Sequence, residues 1–337
     1  MKSVRLAVSL AAFALFTSTA SSAAINEIVV FGDSLSDGGN LYNLTGGAYP
    51  PAPLYDQRFS NGAVAVEYMA SSLGLSLTVS TVGGSNYAVG GAATGNVSSP
   101  SGTYDSYLTY VAPQAFGGLN GFTGMDKQLA QYASSAPQGV ADTLFVLWGG
   151  SNDLFINPSV ATMSQAVMNL SSSITTLVGM GATQFLVPGM ADWSLTPEGQ
   201  SSSFEERAGM SALSAYFNGE LSIALSNLQA TYSDVDIRGF DTNALFQHVM
   251  ANAAAYGFNY TATSCLADSC YLTPGLVDQY MFWDGVHPTA RVNALMGGAL
   301  GSTVAAVPEP SQSAMLLASM LPLAWVVRRA RRNKHRA

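Results

Sequence analysis

Charge is scarce in this chain of 337 residues: only 10% of positions are Asp, Glu, Lys or Arg, against roughly 25% in an average soluble protein. Cysteine occurs twice and histidine three times. Two cysteines cannot hold together a disulfide-dense small fold, and no second Cys/His pair stands near them to complete a zinc site. Basic side chains are almost missing from the interior. Between residues 25 and 306 only Arg58, Lys127, Arg207, Arg238 and Arg291 face twenty acids, a net of −15. A surface this acidic repels phosphate backbones, and no basic stripe offsets it, so nucleic acid is excluded as a partner. Hydrophobic residues make up 48%, which excludes intrinsic disorder and leaves ample material for one large core.

The remaining basic residues lie at the ends. Lys2 and Arg5 precede an apolar stretch from Leu6 to about Phe16, and small residues follow up to Ser22-Ala23-Ala24. This three-part order predicts a secretory signal peptide over residues 1–24; the apolar run is short for a membrane span. At the other end, Pro308-Glu309-Pro310 breaks regular structure, an apolar stretch runs from Ala314 to Val327, and Arg328, Arg329, Arg331, Arg332, Lys334 and Arg336 close the chain. An ordinary single-pass anchor has this order of parts. So does the PEP-CTERM sorting signal of Gram-negative bacteria, which residues 307–337 resemble. That resemblance implies handling by exosortase-type machinery, with transient or permanent membrane attachment, and delivery to the cell surface, the extracellular matrix or the medium. Cys265 and Cys270, in a polar loop, suit an oxidising compartment as a local disulfide, with a pair of free thiols as the alternative.

Residues 25–306 read as a single α/β domain. Short β-rich runs at 25–33, 77–83, 142–150, 183–190 and 235–240 alternate with helical spacing at 62–74, 124–136, 159–181, 203–230 and 241–257. Apolar strands alternating with helices predict a parallel sheet covered on both faces. Asp241 is placed to cap its helix, and Pro288 to open the last one at its first position. The stretches 41–60 and 94–122, rich in Gly, Pro, Ser, Tyr and Asn, are expected as long rim loops. Their tyrosines (Tyr42, Tyr49, Tyr55, Tyr104, Tyr107 and Tyr110) suit either a substrate groove or plain loop packing.

Four short runs carry chemistry. Phe31-Gly32-Asp33-Ser34-Leu35 ends the first strand, which puts Ser34 at the carboxyl edge of the sheet, where open α/β folds bind ligands. The glycine-rich run Gly83–Ala92 lacks both the P-loop lysine and the G-x-G-x-x-G spacing of a dinucleotide site; its use is an unobstructed backbone N–H. Trp148-Gly149-Gly150-Ser151-Asn152-Asp153 follows the most apolar strand and offers the Asn152 amide. In Asp284-Gly285-Val286-His287 an acid stands three residues before the one histidine with a carboxylate built in beside it. That spacing suits a carboxylate that orients an imidazole. His248 lies within a helical pattern and His335 in the tail.

Together these runs resemble the four blocks of the GDSL, or SGNH, hydrolases over residues 26–300. The resemblance implies a flavodoxin-like three-layer α/β/α sandwich with a mainly parallel five-stranded sheet. It implies ester cleavage through an acyl-enzyme, with Ser34, Asp284 and His287 catalytic and Ser34, Gly91 and Asn152 forming the oxyanion hole. No cofactor and no metal are expected, and the expected partner is an ester of a lipid or an acylated carbohydrate. Acyl transfer to an alcohol would use the same residues. A catalytically silent matrix-binding protein is the alternative from another class.

Overall fold

The computed structural model describes residues 24–305. Both terminal segments singled out above, 1–24 apart from Ala24 and 307–337, lie outside the described residues. Among the described residues eight strands occur: β1 (Glu27–Gly32), β2 (Ala92–Ser99), β3 (Gly102–Ser106), β4 (Thr143–Trp148), β5 (Gln184–Pro188), β6 (Asp236–Phe240), β7 (Tyr260–Ser264) and β8 (Tyr280–Phe282). The central sheet has the order β1-β4-β5-β6 with every pairing parallel.

Alternation along the strands sorts side chains into two cores. Val29, Phe31, Phe145, Leu147, Phe185 and Val187 point to one face, under the helices Met125–Ser134, Val160–Gly179 and Phe204–Thr231. Ile28, Val30, Leu144, Val146, Trp148 and Leu186 point to the other, under Ala65–Ser72, Thr242–Ala251 and Ala290–Ala305. Three layers result, and the double-sided apolar strands are their cause. The first and last of these helices pack with almost no side-chain spacer. A Cβ at Gly297 would lie 2.5 Å from Ala65 O, so glycine is what allows the approach.

Helix ends follow the sequence signals closely. Asp241 accepts from Ala244 N at 2.8 Å, Ser159 accepts from Thr162 N, and Ser203 with Glu206 forms a capping box, satisfying amides that have no partner within the helix.

The expected layout is corrected at four places. The sheet has four regular strands rather than five. The fifth place, along β1, is held by the irregular stretch 85–89, where Tyr87 N donates to Val30 O at 2.8 Å and Val89 N to Gly32 O at 3.1 Å. Residues 77–83 form a loop with a 3-10 turn at Ser80–Val82 instead of a strand; their Ser, Thr and Gly residues favour local hydrogen bonds over a ladder. Pro288 sits ahead of the last helix, bridged to Phe282, and the helix starts at Ala290. Within the expected loop 94–122, β2 and β3 form an antiparallel hairpin. Among the described residues no helix is long and apolar enough to cross a membrane.

β1 and β4 pair in register, so that Gly32 lies opposite Trp148. A Cβ at Gly32 would stand 2.7 Å from the Trp148 carbonyl oxygen. A Gly32→Ala variant should therefore lose about 1–3 kcal/mol of stability; urea unfolding checks this as a lower midpoint at unchanged slope.

Candidate active site

The turn after β1 is built on Asp33. Its carboxylate accepts from Leu35 N at 3.0 Å, and its carbonyl accepts from Ser36 N and Asp37 N at 3.0 and 2.9 Å. Ser34 is thereby held at the tip of a tight turn. Gln128 clamps the strand end from behind: Gly32 N donates to its Oε1, and its Nε2 donates to Gly32 O and Thr123 O, all at 2.9 Å.

Asp37 ties this turn to the glycine-rich run. Fully buried, it accepts from Gly39 N (2.8 Å), Asn40 N (2.6 Å), Leu41 N (3.1 Å) and Gly90 N (2.8 Å). Asn40 and Asn86 complete the seam: Asn40 Nδ2 donates to Asn86 O and Ala88 O, and Asn86 Nδ2 donates to Ser36 O. Gly91, next to the tethered Gly90, faces the same cleft as Ser34.

Asn152 opens the helix Ser151–Ile156 directly after β4. Its Nδ2 donates to Ala92 O at 3.0 Å and lies 3.4 Å from Asp33 Oδ2. The neighbouring Asp153 is buried and accepts from Thr94 N (2.9 Å) and Thr94 Oγ1 (2.7 Å), which fixes the start of β2 against this helix.

The parallel pair β7–β8 delivers the chain to Asp284. Cys265 and Cys270, joined in a disulfide with their Cα atoms 4.9 Å apart, pack beside Trp283 in the small core under this stretch. Asp284 Oδ1 accepts from the amides of Val286 (3.0 Å) and His287 (2.7 Å), folding the loop on itself. His287 Nδ1 lies 2.9 and 2.8 Å from the two Asp284 oxygens, and His287 Nε2 lies 2.8 Å from Ser34 Oγ. Tyr55, from the rim loop, donates its hydroxyl to Asp284 Oδ2 at 2.8 Å, and the Phe59 ring lies 4.9 Å from the imidazole.

The electrostatics follow from burial and pairing. Burial alone would lower the His287 pKa, but the Asp284 charge and hydrogen bond outweigh it, aided by Asp33 and Glu198, and raise it above 6.5. Burial would raise Asp284, and the His287 charge and the donated hydrogen bonds hold it below the ordinary carboxylate value instead. Burial dominates elsewhere: Asp33 and Asp37 are pushed up to about 6 and Asp153 to about 7. A folded-state pKa above the unfolded value of 3.8 means that the native protein binds the proton more tightly. The stabilisation from these three groups is complete below pH 3.8 and lost as the pH rises through 6 to 7.

All five residues singled out from the sequence, Ser34, Gly91, Asn152, Asp284 and His287, meet at one end of the sheet, and all but Asp284 line the cleft. Of the rim tyrosines, Tyr49 and Tyr107 line it too, Tyr55 holds Asp284, and Tyr104 and Tyr110 pack on each other with centroids 5.3 Å apart. Sequence reasoning assigned no role to Asp37, Asn86, Gln128, Asp153 or Glu198. For Asp37 the signal was an acid amid Gly and Asn directly after the strand turn; Gln128 and Glu198 left none.

A family model described as GDSL-like Lipase/Acylhydrolase matches residues 28–300. The chain is similar to a GDSL esterase/lipase of Arabidopsis thaliana, 27% identical over 81% of this chain and 80% of the relative. It is similar to acetylajmalan esterase 2 of Rauvolfia serpentina, 27% identical over 78% of this chain and 86% of the relative. The thermolabile hemolysin of Vibrio parahaemolyticus is 28% identical over 80% of this chain, which spans 61% of that longer protein.

Removing the hydroxyl that braces Asp284 isolates one hydrogen bond to a charged group, worth about 1.5–3 kcal/mol. Tyr55→Phe is expected to lower kcat/KM for an ester by roughly 10-fold or more and to lower the thermal midpoint by several degrees, about 2–4 °C per kcal/mol lost. Steady-state kinetics beside a melting curve check both.

Proposed function

The chain belongs to the GDSL-like lipase/acylhydrolase family, over residues 28–300, and from that premise we propose that it cleaves carboxylic esters with Ser34, His287 and Asp284 as its catalytic triad. Carboxylic ester hydrolysis is the chemistry of the family. The observation that carries the residue assignment is the unbroken line from Ser34 Oγ through both imidazole nitrogens to a carboxylate, with contacts of 2.8 to 2.9 Å.

In this reading His287 Nε2 takes the Ser34 proton as Oγ attacks the ester carbonyl. Asp284 keeps Nδ1 protonated and balances the imidazolium. In this reading the negative oxygen of the tetrahedral intermediate lies among the amides of Ser34 and Gly91 and the Asn152 side chain, whose Nδ2 at rest donates to Ala92 O and lies near Asp33 Oδ2. Collapse expels the alcohol, which receives the proton from His287, and leaves an acyl-serine. Water then attacks with His287 again as base, releasing the acid and restoring Ser34. No step calls for a metal.

An exported protein fits the same reading. The leader-like order of residues 1–24, the PEP-CTERM-like order of 307–337 and the disulfide between Cys265 and Cys270 support an address outside the cytoplasm, at the surface or beyond it.

Hydrolysis of p-nitrophenyl esters of graded chain length tests the assignment. Ser34→Ala is expected to lower kcat by roughly 10⁴–10⁶-fold, and full activity in that variant would overturn it. Asn152→Ala should lower kcat about 10²–10³-fold with little change in KM, because the contact forms in the transition state. The base must be neutral, so kcat/KM should fall as the pH drops through the raised His287 value, above 6.5. A pH–rate profile flat down to pH 5 would contradict this role for the imidazole.

A further inference from the structure

The cleft over Ser34 is lined by groups of two unlike kinds. One is apolar and aromatic: Tyr107, Phe155 and Trp193 form a continuous face, with successive ring centroids 5.6 and 5.8 Å apart. The other is Glu198, on the short helix Pro197–Ser201 that follows Trp193 in the chain. Glu198 N donates to Gly285 O at 2.9 Å, which fixes this residue to the loop that holds the histidine. Its carboxylate stands over Gly285, with Oε2 3.3 Å from the place of a Cβ there. Glu198 lines the cleft and is solvent-exposed, and, among the described residues, its carboxylate accepts no hydrogen bond and has no ion-pair partner.

Among the described residues no arginine or lysine answers it. None of the five basic residues between 25 and 306 lines the cleft. Arg58 is engaged by Glu67, Lys127 by Asp126 and Arg238 by Asp236, while Arg291 donates to the carbonyls of Asp278 and Tyr256. An anion entering the cleft meets this negative charge and, among the described residues, no arginine or lysine.

Chemistry decides which half of the ester meets Glu198. The proton on His287 Nε2 goes to the departing alkoxide, so groups on the histidine loop border the alcohol half, and the acyl chain is left to the aromatic face. Resting on the esterase reading above, we propose that Glu198 selects the alcohol by charge: the enzyme favours esters of an apolar acyl group with a cationic alcohol, accepts neutral alcohols, and discriminates against alcohols bearing phosphate, sulfate or carboxylate near the ester oxygen.

Three butyrate esters matched in size test this at pH 8 and low salt: the choline ester, its uncharged 3,3-dimethylbutyl isostere and the 2-sulfoethyl ester. The wild-type protein should show kcat/KM in the order cation, neutral, anion, with a cation-to-anion ratio of roughly tenfold or more. Glu198→Gln should bring that ratio to within about twofold, and Glu198→Asp, which keeps the charge, should retain the order. If Glu198→Gln does not fold, Glu198→Ala removes the same charge. A wild-type ratio near one, or a ratio that survives loss of the carboxylate, overturns the proposal. Failure of the esterase reading looks different: the neutral ester is then not hydrolysed, or is hydrolysed equally by Ser34→Ala.

Discussion

Four backbone amides converge on the buried Asp37 carboxylate, and the geometry of the site depends on that convergence. Three come from the turn that follows Ser34, and the fourth, Gly90 N, comes from the run that carries Gly91. Two loops are thus fixed to one point. Burying an ionised carboxylate costs several kcal/mol, and hydrogen bonds to a charged group return about 1.5–3 kcal/mol each. The pKa raised to about 6 shows that burial wins the contest of proton affinity. What the arrangement secures is position, since a neutral side chain could not collect all four donors.

The sheet supplies the second constraint. In-register parallel pairing of β1 with β4 brings the strand ends bearing Ser34 and Asn152 to the same level. The small β7–β8 pair, backed by the disulfide and Trp283, delivers Asp284 and His287 from the far end of the chain. The three supports differ in kind: a buried charge, a strand ladder and a stapled loop. The cleft between them is lined in large part by apolar and aromatic side chains, which strengthens the electrostatic contacts around Ser34.

Much of this was legible in the sequence, for physical reasons. The α/β layering came from apolar strands too uniform to have a wet face, and the helix ends from side chains suited to capping. Ser34, Gly91 and Asn152 stood out because each follows a strand or lies in a glycine-rich run, Asp284 and His287 because an acid stands three residues before the one histidine with a carboxylate built in beside it, and their joint resemblance to a known family covered the domain. The fifth strand position was misread because 77–83 has β-type residues while 85–89, which takes that place, has Asn, Tyr and small residues held by side-chain hydrogen bonds. Tyr55 was beyond reach for another reason: its partner lies 229 residues away, and nothing local distinguishes it from Tyr104 or Tyr110. Glu198 was equally silent, because a single acid on a polar helix becomes distinctive only when the cleft around it holds no cation.

The close pairing of the helices Ala65–Ser72 and Ala290–Ala305 has a consequence for how the protein comes into being. Ser34 and His287 are 253 residues apart, and the helix that follows His287 must be present before Ala65–Ser72 has its partner. Contacts of such long sequence separation form late in folding. A chain still on the ribosome therefore carries Ser34 without the imidazole beside it. Under the proposed mechanism, chemical competence arrives only with closure of the last helix, and the serine gains its reactivity where folding is completed.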